Sequence, residues 1–372
     1  MLNELLTYAS KEKNSLLSQF DNYYNGILPE SIISKWNNYE FKNNKIRKSI
    51  LAVDGSINQE NLISQTVYAL SSHAVYSPVE PGTQSISQNN KLELMPPSNE
   101  NYNQIFSKQM NLFELKTILN SLHEKPEVDY LLLDGDFFSI LNHVSSIVNT
   151  SLRKNNFIKE YTKRIVKKEK NNYSKEVLSV QSIIDDIPDN LNVPIGEVVL
   201  YIQMVEQLCV LKNIMEKYSK KIVSISKTSR TRNLYDNRYF SDLSLIDYYC
   251  TKQGYSDATV IDDTRSRRFI NNTIQYGQYA VYNDFFNNLT YTNRFVKFYD
   301  KGSVLKVQLS YAATEEEFLD VLEDLHSFCI DKTGYPFLLK KAHDDVKITS
   351  RDMNVILKKL GLNFDNKERD ML

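Results

Sequence analysis

The chain has 372 residues, of which 41% are hydrophobic and 24% charged, values close to globular averages at a length that can bury a sizeable core. Its 45 Lys and Arg against 46 Asp and Glu give a net charge of -1, which excludes a basic whole-molecule field as the means of holding a nucleic acid. Three cysteines without a CxxC pair exclude a disulfide framework and a structural zinc site. We therefore expect a cytoplasmic protein with no signal peptide and no membrane span.

The N-terminal third is predicted to begin as helix and to continue as strands. Residues 1–45 have apolar side chains at helical spacing, which predicts helix. The run Ile50–Val53 is continuously apolar and stops at Asp54-Gly55, the pattern of a buried strand that ends in a turn. The following residues predict two more strands over 63–78 and 91–95, with a polar loop over 79–90 between them.

A helix and a second apolar strand come next. Residues 104–123 have the spacing of an amphipathic helix. The run Tyr130–Leu133 repeats the pattern of the first strand and ends on Asp134-Gly135. Continuous apolar runs of this kind are typical of central strands that are covered on both faces.

The C-terminal half is predicted to add further helices and strands to the same sheet. The segment 150–190 is basic in its first part and helical in pattern, and we interpret it as an inserted helical arm. A long helix over 195–220 leads into a strand that ends just before Lys227. Residues 228–290 are predicted to be rich in loops, and 293–311 to form a hairpin with an Asp-Lys-Gly turn. Three helices are predicted after the hairpin, over 314–330, 337–347 and 350–360.

The most informative feature is an arrangement of three acidic residues. Asp54 and Asp134 each close a buried strand, and Glu114 lies near the middle of the helix between them. The order strand, strand, strand, helix, strand is the topology of an RNase H-like core, whose first and fourth strands are neighbours. Ligand sites in α/β sheets lie beyond the carboxyl ends of strands, and clustered carboxylates need cations to offset their repulsion. We therefore predict that Asp54, Glu114 and Asp134 bind Mn²⁺ or Mg²⁺.

Each of these residues also has a simpler interpretation. An Asp-Gly pair after an apolar run is a common turn, and Glu114 alone fits a solvated helix position as well as it fits a ligand. Asp136 is an alternative to Asp134, although it is better placed to cap the following helix. Two Asp-Gly pairs, each at the end of a predicted central strand, favour a metal site over two unrelated turns.

A basic segment follows the strand that ends before Lys227. A lysine at the carboxyl end of a strand can contact a phosphate as a point charge. Arg230 and Arg232 alternate with hydroxyl residues in the next loop. We predict that these three residues contact DNA phosphates, with an ordinary solvated surface as the alternative.

Tyr335 and His343 are the last candidate site residues. Tyr335 comes before Pro336 and a short predicted helix, and His343 lies towards the end of that helix. Leu339 and Ala342 of the same helix are predicted to be buried. A lone histidine on a helix is more often structural than catalytic, and a tyrosine at a helix entrance can simply pack against the sheet. The pattern alone leaves both interpretations open.

Together these residues resemble the NurA nuclease family. The resemblance extends from about residue 48 to 347, whereas the 150–190 and 228–290 segments match only loosely. It rests on short pieces in a compatible order, namely AVDGS at 52–56, Glu114 on its helix, LLLDGD at 131–136, SISK at 224–227 and YPFLLKKAH at 335–343.

The resemblance implies a DNA nuclease on an RNase H-like fold, with Mn²⁺-stimulated 5′-to-3′ exonuclease and single-strand endonuclease activity. It implies an active-site set of Asp54, Glu114, Asp134, Tyr335 and His343, of which His343 is also a candidate metal ligand. It further implies a homodimer that acts with a hexameric HerA-type ATPase translocase in DNA-end resection.

The expected fold class is α/β, with an RNase H-like mixed central sheet flanked by helices, an inserted helical arm and an N-terminal helical region. The expected division is a helical region over 1–47, a nuclease domain over 48–347 and a C-terminal helix and tail over 348–372. Two alternatives stay open: another RNase H-like nuclease or transposase, and a non-catalytic scaffold for a DNA translocase.

Overall fold

One mixed β-sheet with helices on both faces organises the chain. The structure is a computed structural model, and it describes residues 2–24, 27–42, 48–62, 65–79, 82–95, 102–136, 152, 155–171, 176–261, 289–329 and 332–362. Within these ranges the sheet has ten strands, in the order β1-β7-β9-β10-β6-β5-β2-β3-β4, with β8 beside β9. The strands are β1 Trp36–Asn38, β2 Ile50–Asn61, β3 Thr66–Ser77, β4 Gln84–Met95, β5 Tyr130–Asp134, β6 Ile222–Ser226, β7 Gly254–Ser256, β8 Thr259–Ile261, β9 Tyr291–Lys297 and β10 Leu305–Leu309.

The helices connect these strands and cover the sheet. Among the described helices, two precede β2 and four lie on the crossovers between β4 and β6. The described helices are α1 Leu2–Tyr24, α2 Pro29–Ile33, α3 Tyr102–Glu124, α4 Asn156–Asn171, α5 Val180–Asp185, α6 Ile195–Tyr218, α7 Asp242–Tyr249, α8 Glu315–Ser327, α9 Phe337–Val346 and α10 Ser350–Leu360.

The centre of the sheet has the predicted RNase H-like topology. β2, β3 and β4 are antiparallel, and β5 pairs parallel to β2 on its other side. β6 then pairs parallel to β5. The prediction that the first and fourth strands of the core are neighbours is confirmed, and so is the mixed α/β fold class.

Alternation along β2 separates two apolar layers. Leu51 and Val53 belong to the cluster beneath α3, α4 and α6, whereas Ile50 and Ala52 belong to the cluster beneath α8 and α9. Successive side chains of a strand point to opposite faces, so a strand covered on both faces is apolar at every position. This is the physical reason for the continuous apolar run that identified the strand.

The prediction that β2 ends in a turn at Asp54-Gly55 is wrong. β2 continues to Asn61 and stays paired with β3 along its whole length. The apolar run stops there because the parallel neighbour β5 ends at Asp134, which leaves the rest of β2 less deeply covered. Of the two Asp-Gly pairs, only Asp134-Gly135 ends its strand. Gly135 has a φ of 90°, a conformation that glycine adopts readily.

The prediction missed β1, the first half of β4, and the short strands β7 and β8 of the segment expected to be loop-rich. The N-terminal region is not helical throughout, because β1 lies within it and pairs with β7, a distant partner that local periodicity does not reveal. The loop predicted over 79–90 is mostly strand, because β4 begins at Gln84. β4 is the edge of the sheet, and its largely exposed polar side chains hide the strand pattern.

The described residues of the predicted helical arm form α4 and α5, and α4 packs onto the body of the protein. Ile158, Tyr161 and Ile165 of α4 are buried in the cluster that also contains α6. The segment Ile195–Lys221, which includes α6, is long and apolar enough to cross a membrane by length and composition. However, 83% of its most apolar window is buried inside the protein, which identifies α6 as a core helix.

Candidate metal centre and active site

Asp54 and Asp134 meet at one edge of the parallel part of the sheet. The register pairs Val53 of β2 with Leu133 of β5, so the two aspartates follow directly on neighbouring strands. Burial raises the pKa of Asp54, and the charge of Asp134 raises it further, whereas hydrogen bonds from His343 and the Gly55 amide lower it. The two carboxylates are thus close enough to repel each other.

Glu114 reaches the same place from α3, and Gly55 makes the approach possible. A Cβ atom at Gly55 would lie 2.5 Å from Glu114 Oε1 and 2.5 Å from Met110 Sδ, so no larger residue fits there without a shift. Burial raises the pKa of Glu114 to about 8, and the charges of Asp54 and Asp134 contribute to the rise. Glu114 therefore completes a group of three mutually repelling carboxylates from three different elements.

His343 approaches this group from α9. Its Nδ1 lies 2.7 Å from Asp54 Oδ2, and about half of its side chain, 51%, is exposed. Leu339 and Ala342 of the same helix are buried against the sheet, as predicted, and hold α9 across β2. The structure therefore pairs His343 with a carboxylate and leaves one side of the imidazole open to solvent.

Tyr335 and Lys227 lie beside Asp134. The ring of Tyr335 packs against the cluster beneath α9, and Lys227 Nζ sits 3.8 Å from its centroid. Lys227 Nζ is also 3.4 Å from Asp134 Oδ2. The Tyr335 hydroxyl is buried beside the Asp134 carboxylate. Burial raises the pKa of Tyr335 well above its usual range, and the charge of Asp134, a hydrogen bond to Asp134 and the charge of Asp54 raise it further, so the hydroxyl keeps its proton and can donate it in a hydrogen bond.

The two predicted arginines do not join the carboxylates. Arg230 is exposed in the loop after β6. Arg232 donates hydrogen bonds to the carbonyls of Arg238 and Tyr239, at 2.6 and 3.3 Å, and so fastens its own loop. Asp136, the alternative to Asp134, accepts a hydrogen bond from buried Lys306 at 2.9 Å; the helix that it was expected to cap lies outside the described residues.

His73 is a neighbour of the site that the sequence did not reveal. It is the register partner of Asp54 on β3, and its Nε2 is 2.7 Å from Ser85 Oγ. Its Nδ1 lies 3.9 Å from Asp345 of α9. The sequence signal was absent because only the pairing of β2 with β3, which is a long-range property, brings His73 to this place.

The residues present fit a hard divalent cation by their chemistry. In the described part of the chain, no three His, Cys, Asp or Glu side chains already stand at the spacing that encloses a metal ion. The donor set nevertheless consists of three carboxylates whose repulsion a cation would relieve, and oxygen ligands are those that Mg²⁺ and Mn²⁺ prefer. The close approach of Glu114 to Gly55, where a Cβ atom would collide with the Glu114 carboxylate, supports the same conclusion.

Comparison with known proteins identifies the family. The NurA domain matches residues 48–348. The chain belongs to the NurA family. A NurA relative from Methanocaldococcus jannaschii, named a probable DNA double-strand break repair nuclease, is 23% identical over 96% of this chain and 89% of its own length.

Solved NurA structures share the fold. The crystal structure of the NurA nuclease from Sulfolobus solfataricus superposes with a TM-score of 0.70 at 19% identity, covering 100% of this chain and 99% of that chain. A NurA structure bound to dAMP and manganese gives a TM-score of 0.62 at 15% identity, covering 97% and 98%. The predicted resemblance to NurA nucleases is thereby confirmed over nearly the whole chain.

Proposed function

We propose that this chain is a metal-dependent DNA nuclease whose centre is formed by Asp54, Glu114 and Asp134. The observation that carries the proposal is the convergence of three carboxylates from β2, α3 and β5, with Glu114 held so closely that its pKa rises to about 8. The family supports DNA as the substrate, since its named members are DNA double-strand break repair nucleases. The relative bound to dAMP and manganese supports a divalent cation, and we favour Mn²⁺.

The three carboxylates would hold the cation, which supplies positive charge for the phosphate and an acidified water when bound. His343, with Nδ1 on Asp54, keeps its other nitrogen available to take a proton from the attacking water or to give one to the leaving oxygen. His343 is also a candidate fourth ligand. Its hydrogen bond to Asp54 fixes the ring orientation for either role.

Tyr335 and Lys227 would position the scissile phosphate. The Tyr335 hydroxyl stays protonated beside Asp134, so it can donate a hydrogen bond to a phosphate oxygen bound there. Lys227 lies over the same ring, and 50% of its side chain is exposed. Its positive charge can therefore contact the phosphate. Arg230 is exposed for an adjacent phosphate, whereas Arg232 serves mainly to hold the loop.

A nuclease assay with matched variants tests this function. We expect the wild-type chain to cleave DNA with Mn²⁺ and not in EDTA, and Asp134→Asn to lose cleavage while keeping its melting temperature. Asp136→Asn is the control, because Asp136 is two residues away and pairs with Lys306. A wild-type chain without cleavage would favour the scaffold hypothesis, and loss of activity only in Asp136→Asn would contradict the ligand assignment.

We further propose a homodimer that docks on a HerA-type hexameric translocase and degrades DNA ends in the 5′-to-3′ direction, with endonuclease activity on single strands. The net charge of -1 gives little long-range attraction for DNA, so delivery by a translocase is advantageous. The helix α1 is the favoured contact surface, because it leaves four leucines at least 49% exposed, namely Leu5, Leu6, Leu16 and Leu17. The alternative surface, α4, is packed against α6.

The assembly is tested by light scattering. We expect the wild-type chain to be dimeric and to form a complex with the translocase, and a variant with the four α1 leucines replaced by Ser to remain dimeric but lose that complex. A monomeric variant would assign α1 to the dimer interface instead. Absence of any complex for the wild-type chain would contradict the translocase proposal.

A further inference from the structure

α3 carries a buried cation two residues beyond Glu114. At 3.6 residues per turn, Glu114 and Lys116 point in directions roughly 200° apart around the helix. Glu114 therefore faces Gly55 on the sheet, whereas Lys116 faces the helical layer that covers α3. Lys116 is only 1% exposed.

Three acceptors from three different segments surround the Lys116 ammonium. Its Nζ donates to Glu206 Oε1 of α6 at 2.5 Å, to Glu169 Oε1 of α4 at 3.1 Å, and to the carbonyl of Glu176 at 2.6 Å. The side chains of Glu169 and Glu206 are each 1% exposed. An ammonium group has three donors, so its hydrogen-bonding capacity is fully used within the protein.

This cluster is a poor source of stability. Burying charges costs several kcal/mol per ion by order of magnitude, and apolar replacements of buried ion clusters are often as stable or more stable. Here the second carboxylate oxygens of Glu169 and Glu206 have no partner among the described residues, which adds to the cost. We therefore consider the cluster as a determinant of helix orientation rather than as a source of stability.

Apolar packing gives the C-terminal half of α3 no single preferred face. Every residue from Leu115 to Leu122 is buried, and so is every residue of α6 from Val198 to Lys212. A helix that is buried all round has no single apolar stripe to define its orientation. A directional polar contact between two such helices can define it, as buried polar residues do in coiled coils.

We propose that Lys116, together with Glu169 and Glu206, is the positioning group for Glu114: it fixes the rotation and depth of α3 so that the Glu114 carboxylate stays seated on Gly55. The inference rests on the proposed function in so far as Glu114 is taken as a metal ligand. Lys116 is not a catalytic residue, since its ammonium points away from the three carboxylates and is enclosed by the helical layer.

The test removes the whole cluster without leaving an unpaired charge. The variant is Lys116→Met combined with Glu169→Gln and Glu206→Gln. Its control is Asn120→Leu, which replaces a buried polar residue one turn further along the same side of α3 and leaves the ammonium cluster intact. Both variants are compared with the wild-type chain by crystal structure, by melting temperature and by calorimetric titration with Mn²⁺.

We expect the triple variant to fold, to show Glu114 displaced from Gly55, and to bind Mn²⁺ roughly 10- to 100-fold more weakly, as loss of a supporting contact around a metal site does. The control should keep the Glu114 position and the Mn²⁺ affinity. A folded triple variant with Glu114 still on Gly55 and wild-type Mn²⁺ affinity would overturn the inference.

A second variant covers the case in which the triple variant does not fold. Glu206→Gln alone leaves Lys116 paired with Glu169 as a neutral pair, and we expect a smaller displacement and weakening in the same direction; no change would count against the inference. A wild-type chain that binds Mn²⁺ without cutting DNA would refute the proposed function separately. If the wild-type chain binds no Mn²⁺, the distance from Glu114 to Gly55 in the variant crystals still decides the positioning role.

Discussion

Glu114 is the residue in which burial and charge repulsion act most strongly together. Its ordinary pKa of 4.5 is raised to about 8 by burial and by the charges of Asp54 and Asp134. Between these values the folded, metal-free protein retains a proton on Glu114 that the unfolded chain has already released. The free energy of unfolding therefore decreases as the pH rises through this interval, because the unfolded state releases a proton that the folded state keeps.

The corresponding prediction concerns the metal-free protein. In EDTA, the melting temperature of the wild-type chain should fall relative to that of Glu114→Gln as the pH rises from about 5 to about 8. The variant lacks the titrating group, so the difference between the two proteins isolates it from other carboxylates. Added Mn²⁺ should restore the wild-type chain more than the variant. A difference in melting temperature that does not change with pH would contradict the assignment.

His343 allows the functional and structural interpretations to be separated. Half-exposed and hydrogen-bonded to Asp54, it contributes little apolar burial to the fold. We expect His343→Ala to lower turnover by roughly 10²-fold, as removal of a positioned acid–base group does, with a nearly unchanged melting temperature. Lys340→Ala, an exposed change on the same helix, is the control. A lower melting temperature with normal activity of the folded fraction would make His343 structural.

At the scale of residues, the sequence predicted that the three carboxylates would lie close together, but it did not predict all of their neighbours. Asp54, Glu114 and Asp134 could be brought together because the order of elements specifies which strands are neighbours. His73 could not, because its place depends on the exact register of β2 and β3. Arg232 stays a predicted phosphate contact, but its guanidinium also donates to carbonyls of its own loop, a contact that a charge pattern does not reveal.

At the scale of elements, success followed the strength of the local signal. A helix was predicted over 314–330, and α8 begins there with a capping box formed by Thr314 and Glu317. The hairpin β9–β10 was predicted from its turn residues and is confirmed. β1 and the first half of β4 were missed because one depends on a distant partner and the other is an edge strand with polar side chains. Local periodicity carries no information about either condition.

The contact between β2 and α3 gives a prediction of its own. Gly55→Ala would place a Cβ atom 2.5 Å from both Glu114 Oε1 and Met110 Sδ, so α3 or its side chains must move. We expect a loss of roughly 1–3 kcal/mol in the free energy of unfolding, typical of overpacking, and a larger relative loss of cleavage. Met110→Ala, which trims the other neighbour of Gly55, should keep the activity of the folded protein. Normal cleavage by Gly55→Ala would show that the close approach of Glu114 is not required.

At the scale of the whole molecule, the sheet separates the helical layers and the site joins them. His343 comes from α9 on one face, whereas Glu114 comes from α3 on the other. β2 and β5 present the two aspartates between these layers. The order of the core strands β2 to β5 could be predicted from the sequence because the order of elements matches an RNase H-like topology, whereas the pairing of β1 with β7 could not. The contacts that fix the depth of α3, at Gly55 on one side and Lys116 on the other, also needed the three-dimensional structure.

The most direct test of the central claim is an anomalous-scattering map from a crystal of the wild-type chain soaked in Mn²⁺. We predict a peak in contact with the carboxylates of Asp54, Glu114 and Asp134, lost in a crystal of Asp134→Asn soaked in the same way. A peak on Asp136 or elsewhere on the molecule, with none on these three side chains, would contradict the account.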